Sequence, residues 1–285
     1  MRFLIRWFAY PAVMAAAWFI MLGAMGSGSQ PYILPVLTIS GVLAVGFLER
    51  LAPYEPAWLH GDGDILADVQ YNLLGAILLQ ASVFWVYPMS RDLLSLNLWP
   101  DRWPMWADIL AVGVIVDFGL YWMHRWSHRW ELLWRFHQPH HSPQRLYWLN
   151  GERRHIVSAL ILASPGLIAV AVLGAPQVAL AGWFAILPIH LAFQHANIAY
   201  SLGPLRSLFA VAEMHRWHHK RDYEDAQVNF GEVLLVWDWL FGTQRGGSQI
   251  GAGELGLRDA TYPKGFWSQH VAPFRWRQKE SSADI

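Results

Sequence analysis

Six apolar blocks, residues 7–25, 33–48, 65–87, 105–123, 156–173 and 178–193, run along this chain between short polar stretches. Each approaches or reaches the roughly 20 residues that a helix needs to cross hydrocarbon. Turn chemistry punctuates them. Gly26 to Pro31 divides the first two blocks, Pro53, Pro56, Gly61 and Gly63 divide the second from the third, and only Gly174, Ala175 and Pro176 separate the last two. The pattern predicts an all-α, polytopic membrane helical bundle of about four full spans plus a helical hairpin over 156–193.

Composition agrees with that reading. Hydrophobic residues make up 54% of the 285 and charged residues 15%, which is too apolar and too sparsely charged for an ordinary soluble domain. The start carries Arg2 and Arg6 ahead of an apolar run, as a secretory signal does. The run from 7 to 25 is longer than a signal core, so an uncleaved first span is expected. Arginine and lysine then set the orientation. With the amino terminus in the cytoplasm, Arg2, Arg6, Arg50, the basic residues near the histidines and the basic tail all fall inside, and Arg91 and Arg102 fall outside. Both termini are thus expected in the cytoplasm. The formal net charge is zero, so nothing points to a nucleic-acid partner. Cysteine is absent, which excludes disulfides, thiolate ligands and a cysteine nucleophile in this chain. Any metal here must take nitrogen or oxygen ligands.

Nitrogen ligands are abundant. His124 and His128 stand four apart; His137, His140 and His141 follow; His215, His218 and His219 repeat the second spacing far downstream. Residues four apart project from one helix face, so HxxxH offers two imidazoles to one ion. Pro139 complicates the second run, because proline breaks a helix interior and would leave His137 on a preceding loop or cap. A lone HxxxH pair is weak evidence, since a buried histidine is more often a hydrogen-bonded core residue. Three runs with eight histidines exceed what one ion needs, and two metals sharing the cluster is the natural reading. Asp117 lies seven residues before His124 on the same face, placed to steer an imidazole or serve a proton path, or else to cap or pair with arginine. Trp122, Trp126, Trp130 and Trp134 recur every four residues as an interfacial belt or as helix packing. His190, within an apolar block, reads as a hydrogen-bonded core residue or as a further metal ligand; His60 and His270 lie in polar loops and read as surface histidines.

The order HxxxH, HxxHH, HxxHH resembles the fatty acid hydroxylase and sterol desaturase superfamily of membrane-bound di-iron oxygenases. Flanking residues extend the likeness from about Glu49 to Thr243: Asp117 to Arg125, Leu133 to His137, His141 with Ser142, Asn229 to Gly231, and Trp237 to Thr243. The resemblance implies two further ligands, His155 in an R-x-H element begun by Arg153 and His195 in an H-x-N element closed by Asn197. The chain departs from the family pattern at Tyr147 and Asn150, which bears on substrate preference. Three units are expected: N-terminal membrane helices over 1–50, a catalytic unit with a cytoplasmic histidine-rich cap over 51–243, and a polar tail or lid over 244–285, with an aromatic lid or brace near 262–274.

By resemblance the chain uses O2 and two iron ions to hydroxylate or desaturate a lipid such as a fatty acyl chain, sphingolipid or sterol. No GxGxxG sits between a strand and a helix, so no bound flavin, haem or nicotinamide is expected. Electrons are then implied to come from a ferredoxin, a rubredoxin or a b-type cytochrome with its reductase, and the location is a bacterial inner membrane, or the ER membrane in a eukaryote. A metal transporter would place ionisable ligands at the bilayer midplane, a zinc hydrolase would carry a catalytic carboxylate as in HExxH, and a di-haem cytochrome would need histidine pairs on facing helices. None of these patterns is present.

Overall fold

The computed structural model describes residues 1–61, 63–247 and 249–275; the polar tail beyond 275 lies outside the described residues. Six helices are long and apolar enough to cross a membrane: α1 (Arg2–Ser27), α2 (Gln30–Leu51), α3 (Ile65–Leu94), α4 (Met105–Ser127), α6 (Ile156–Leu173) and α7 (Gln177–His195). Four short helices stand apart from them, namely α5 (Glu131–His141), α8 (Ala212–His218), α9 (Val236–Leu240) and α10 (Phe266–Arg275). Among the described residues there is no strand, only three isolated bridges. The chain is an all-helical, multi-pass integral membrane protein.

α3 exceeds the apolar block that announced it by seven residues. A π turn over Ser82–Val86 precedes Pro88, and the wider turn lets the helix run past a residue that has no N–H to give. The hairpin turn is as tight as its sequence implied. Gly174 takes φ 82° to close α6, its N–H reaching the carbonyls of Val170 and Ala171, and Pro176 starts α7.

α7 is the hub of the bundle. Of its apolar window 83% is buried, against 28% for α1 and α6 and 11% for α3, because α1, α2 and α4 pack around it. The outward faces keep large apolar side chains such as Phe19, Phe47, Leu66 and Ile77 exposed, as lipid contact requires. Close helix approach uses small residues. Gly119 of α4 meets the backbone of Gly166 in α6, where a Cβ would come 2.5 Å from the Gly166 nitrogen.

Six spans alternating in direction bring the start of α1, the end of α2, the start of α3, the end of α4, the start of α6 and the end of α7 to one end of the bundle. Hydrogen bonds tie these ends together. Ser201 N–H donates to the Arg6 carbonyl at 2.8 Å, and Glu49 Oε2 accepts from the N–H groups of Trp148 (3.0 Å) and Asn197 (2.9 Å). Arg153 donates to Asp68 at 2.6 Å, and Arg145 to Asp64 at 2.9 Å. The short helices and their loops lie here.

A Cβ at Gly166 would lie 2.6 Å from Val116 Cα and 2.9 Å from its carbonyl oxygen, both fixed backbone atoms. Gly166→Val is expected to cost about 1–3 kcal/mol by overpacking and to lower the Tm in detergent by several degrees. Gly26→Ala, with nothing within 4 Å of the new methyl, should leave it unchanged. Equal melting temperatures for the parent and Gly166→Val would refute the close α4–α6 contact.

Candidate metal centre

The histidine runs fold as helix ends. His124 lies in the last turn of α4 and His128 caps it; His137, His140 and His141 all sit within α5; His215 and His218 lie on α8 and His219 caps it; His195 ends α7. Pro139 does not displace His137 onto a loop. It falls in the final turn of α5, where a missing N–H removes a single bond from a helix that is about to stop. Helix ends suit converging ligands, since they leave the bundle at the same level and direct side chains past the backbone.

Nine histidines meet in two abutting groups. His124, His128, His137, His141 and His218 bring one nitrogen each within 4.8 Å of one another, and His140, His195, His215 and His219 do the same. All nine are 2% exposed or less. The groups touch through the rings of His141 and His219, whose centroids are 4.5 Å apart.

Hydrogen bonds fix several tautomers. Nδ1–H of His124 donates to the Phe230 carbonyl, and Nδ1–H of His218 to the Val228 carbonyl, both at 2.8 Å. Nδ1–H of His195 donates to Asn150 Oδ1 at 3.1 Å. Each bond turns an Nε2 lone pair inward. Nε2 of His124 and His218, both nitrogens of His137, and Nδ1 of His140, His215 and His219 have no hydrogen-bond partner among the described residues. His195 Nε2 lies 2.9 Å from His215 Nε2, which lies 2.9 Å from His219 Nε2, and His128 Nε2 is 3.1 Å from His141 Nε2. One Nε2–H cannot satisfy two facing lone pairs, so buried acceptors outnumber the protons available to them. Nitrogens about 2.1 Å from one ion stand about 3 Å apart at a right angle, and the donor set fits a metal ion on both counts.

Asp117 does not touch a histidine. Its carboxylate accepts from the N–H groups of Val233 (2.8 Å) and Leu234 (3.0 Å) and from Trp237 Nε1 (2.9 Å). Asp238 accepts from the N–H groups of Phe230 and Gly231, both at 2.8 Å, and from Thr243 Oγ1 at 2.6 Å. Asn229, at φ 54°, donates to the carbonyls of Met214 and Arg245. These three residues hold the loop whose carbonyls orient His124 and His218. Buried Glu232 in that loop pairs with Arg154 at 2.9 Å and comes 3.5 Å from His124 Nδ1. Of these, only Asp117 carried a role in sequence; the N-F-G and W-D-W stretches held Asn229 and Asp238 without showing what they bond, and Glu232 and Arg154 carried no signal of their pairing.

His155 lies outside both groups. Its Nδ1 accepts from the Val157 N–H at 3.0 Å to cap α6, and its Nε2–H donates to the His270 carbonyl at 3.1 Å, so neither ring nitrogen is free. The His270 ring lies tilted beside it with centroids 4.6 Å apart, and α10 acts as a brace through Gln269, which bonds Tyr71 and Ser142. His190 is likewise committed, to Tyr10 Oη (2.8 Å) and the Glu232 carbonyl (3.1 Å). Asn150, one of the two departures from the family pattern, is the partner of His195; Tyr147, the other, donates to Asp68 at 2.6 Å. The tryptophans divide. Trp126 and Trp130 stack on the exposed side, whereas Trp134 is buried against His128 and His141.

Residues 109–243 match the family model described as fatty acid hydroxylase. An ornithine lipid hydroxylase from Rhizobium tropici is 32% identical over 84% of this chain and 75% of its own length. The alkylglycerol monooxygenase of Homo sapiens is 31% identical over 51% of this chain and 31% of its own length, and methylsterol monooxygenase 2-2 of Arabidopsis thaliana is 28% identical over 56% and 61%. The chain thus spans about a third of the alkylglycerol monooxygenase and well over half of the other two. No solved structure matches it.

Burial, followed by repulsion from neighbouring imidazoles, holds His128, His137, His140, His141, His215, His218 and His219 well below the usual histidine range, and Arg154 adds to this at His137, His140 and His219. The unfolded chain takes up protons near the ordinary value of about 6.5, which the folded cluster resists. Stability is therefore complete above that pH and is lost as pH falls below it. Melting curves of metal-stripped protein in detergent should show a constant Tm from about pH 8 to 7 and a steep fall from about pH 6.5 to 5. An unchanged Tm at pH 5 would mean that the cluster is open to protons when folded.

Proposed function

The chain belongs to the fatty acid hydroxylase family of membrane lipid oxygenases, and from that premise we propose that its nine clustered histidines hold two iron ions, one in each group, and that the chain hydroxylates a membrane lipid with O2. The observation that carries this reading is the pair of abutting groups, five and four imidazoles, with buried nitrogens left without partners. Bound iron would supply the oxygen chemistry that an unactivated C–H bond demands. The protein's own contribution is orientation and exclusion. Carbonyls of Val228 and Phe230 and the Asn150 amide hold imidazoles by Nδ1, burial keeps them neutral, and near-zero exposure keeps bulk water away.

His155 and Asp117 take positioning roles, His155 at the start of α6 and Asp117 through the loop that reaches His124. The catalytic unit is residues 51–243, to which the first two spans and the segment beyond 243 are added. Electrons come from a soluble or membrane carrier of the ferredoxin, rubredoxin or b-type cytochrome kind, delivered on the cytoplasmic side of a bacterial inner membrane. Hydroxylation is favoured over desaturation because the relatives are named hydroxylases and monooxygenases. Ornithine lipid is the first substrate to test, since the relative matched over most of both chains is named for it.

Elemental analysis after anaerobic iron loading should find about two irons per chain, falling by about one in His124→Ala and by about one in His215→Ala, one variant for each group. The loaded protein with a reductant should place one 18O atom from 18O2 into a lipid product. Less than about half an equivalent of iron, unchanged by either substitution, would overturn the reading.

A further inference from the structure

α8 has two working faces. His215 and His218 turn toward the histidine cluster, while Glu213, Arg216 and Trp217 line a cleft of ≈ 500 Å³ on the other side, together with Arg6, Arg206 and Arg245. We infer that this cleft binds the oxyanion head group of a membrane lipid.

The main support is Arg216. It is 3% exposed and lines the cleft, and the carboxylates of Glu213 and Glu49 act on it only from beyond ion-pair distance. One nitrogen donates to the carbonyls of Ala196 (2.9 Å) and Ile198 (3.3 Å), the guanidinium lies 3.7 Å from the centre of the Tyr54 ring, and Nε has no partner. Among the described residues no carboxylate forms an ion pair with it. A buried guanidinium with no carboxylate in direct contact is costly, and an oxyanion in the cleft would offset that cost through paired, charge-assisted hydrogen bonds. The remaining charges point the same way. Glu213 is taken by Arg206 at 3.4 Å and by the Ser201 hydroxyl at 2.9 Å, and among the described residues the exposed Arg245 guanidinium makes only a 3.5 Å bond to the Gln244 carbonyl. Four arginines line the cleft with one glutamate.

Position selects a lipid over a soluble anion. Arg6 belongs to the first turns of α1, and its carbonyl is bonded to Ser201, so the cleft lies level with the ends of the spans. Leu205 and Leu208, which flank lining residues Arg206 and Ser207, are 51% and 47% exposed. A head group among the arginines would leave its chains beside these leucines and the lipid-facing surface of α1. This assignment concerns binding alone and does not depend on metal or turnover.

The test uses delipidated, metal-free full-length protein in neutral detergent, with bound lipid counted by native mass spectrometry. The probes are dioleoyl phosphatidylglycerol, dioleoyl phosphatidylcholine and inorganic phosphate. Phosphatidylglycerol should be retained about tenfold better than phosphatidylcholine, and phosphate should compete only weakly. Arg216→Gln should abolish the preference. The exposed pair Arg206→Gln with Arg245→Gln should weaken it about tenfold while leaving the Tm unchanged. Equal retention of both lipids, or undiminished phosphatidylglycerol binding in the double variant, would overturn the inference. Phosphate displacing the lipid at matched concentration would overturn the lipid assignment and leave a soluble anion as the ligand.

Discussion

Nine imidazoles buried together with more inward lone pairs than protons to satisfy them is the condition that the rest of this fold answers. An unsatisfied buried polar atom costs of order 1–3 kcal/mol, and this cluster concentrates several in one place. Burial drives the rings toward their neutral form, and the neutral form is the one that can ligate. The arrangement is unfavourable as a protein interior and favourable as a cation site. A core selected for stability alone would have replaced most of these rings with leucine.

Holding such a cluster open falls to carboxylates that never touch it. Asp117 and Asp238 each gather backbone N–H groups from the segment around Phe230, and that segment spends its carbonyls on His124 and His218. On the opposite side, Asp64 and Asp68 anchor Arg145 and Arg153, the Arg145 carbonyl accepts from Asn150, and Asn150 turns to His195. Each chain runs from a buried carboxyl group through the backbone to an imidazole. Buried ion pairs add little net stability but enforce a particular geometry, which is what a set of ligands needs.

Spans and histidine runs were legible in the sequence because both are local patterns. Hydropathy over some 20 residues announces a membrane helix, and spacings of three and four announce a shared helix face. The supporting residues were not legible, since their partners are remote: Asp117 serves residues 116 and 117 positions away, and Tyr147 reaches Asp68 across 79. His155 shows the reverse case. Its motif carried a resemblance, yet the start of α6 had its own unmet N–H to cap, and the ring turned to that and to the His270 carbonyl instead of the cluster. Pro139 was overweighted for a similar reason, because the harm a proline does depends on how soon its helix ends.

The two groups are interleaved along the chain. The group of five draws on α4, α5 and α8, and the group of four on α5, α7 and α8. A nascent chain that has already inserted all six spans still lacks His215, His218 and His219. Neither group is complete until the ribosome has released the segment that becomes α8, so the two are completed together. The histidine cluster is therefore assembled late in biogenesis, after the spans have been made, and the docking of a single seven-residue helix is the step that completes it.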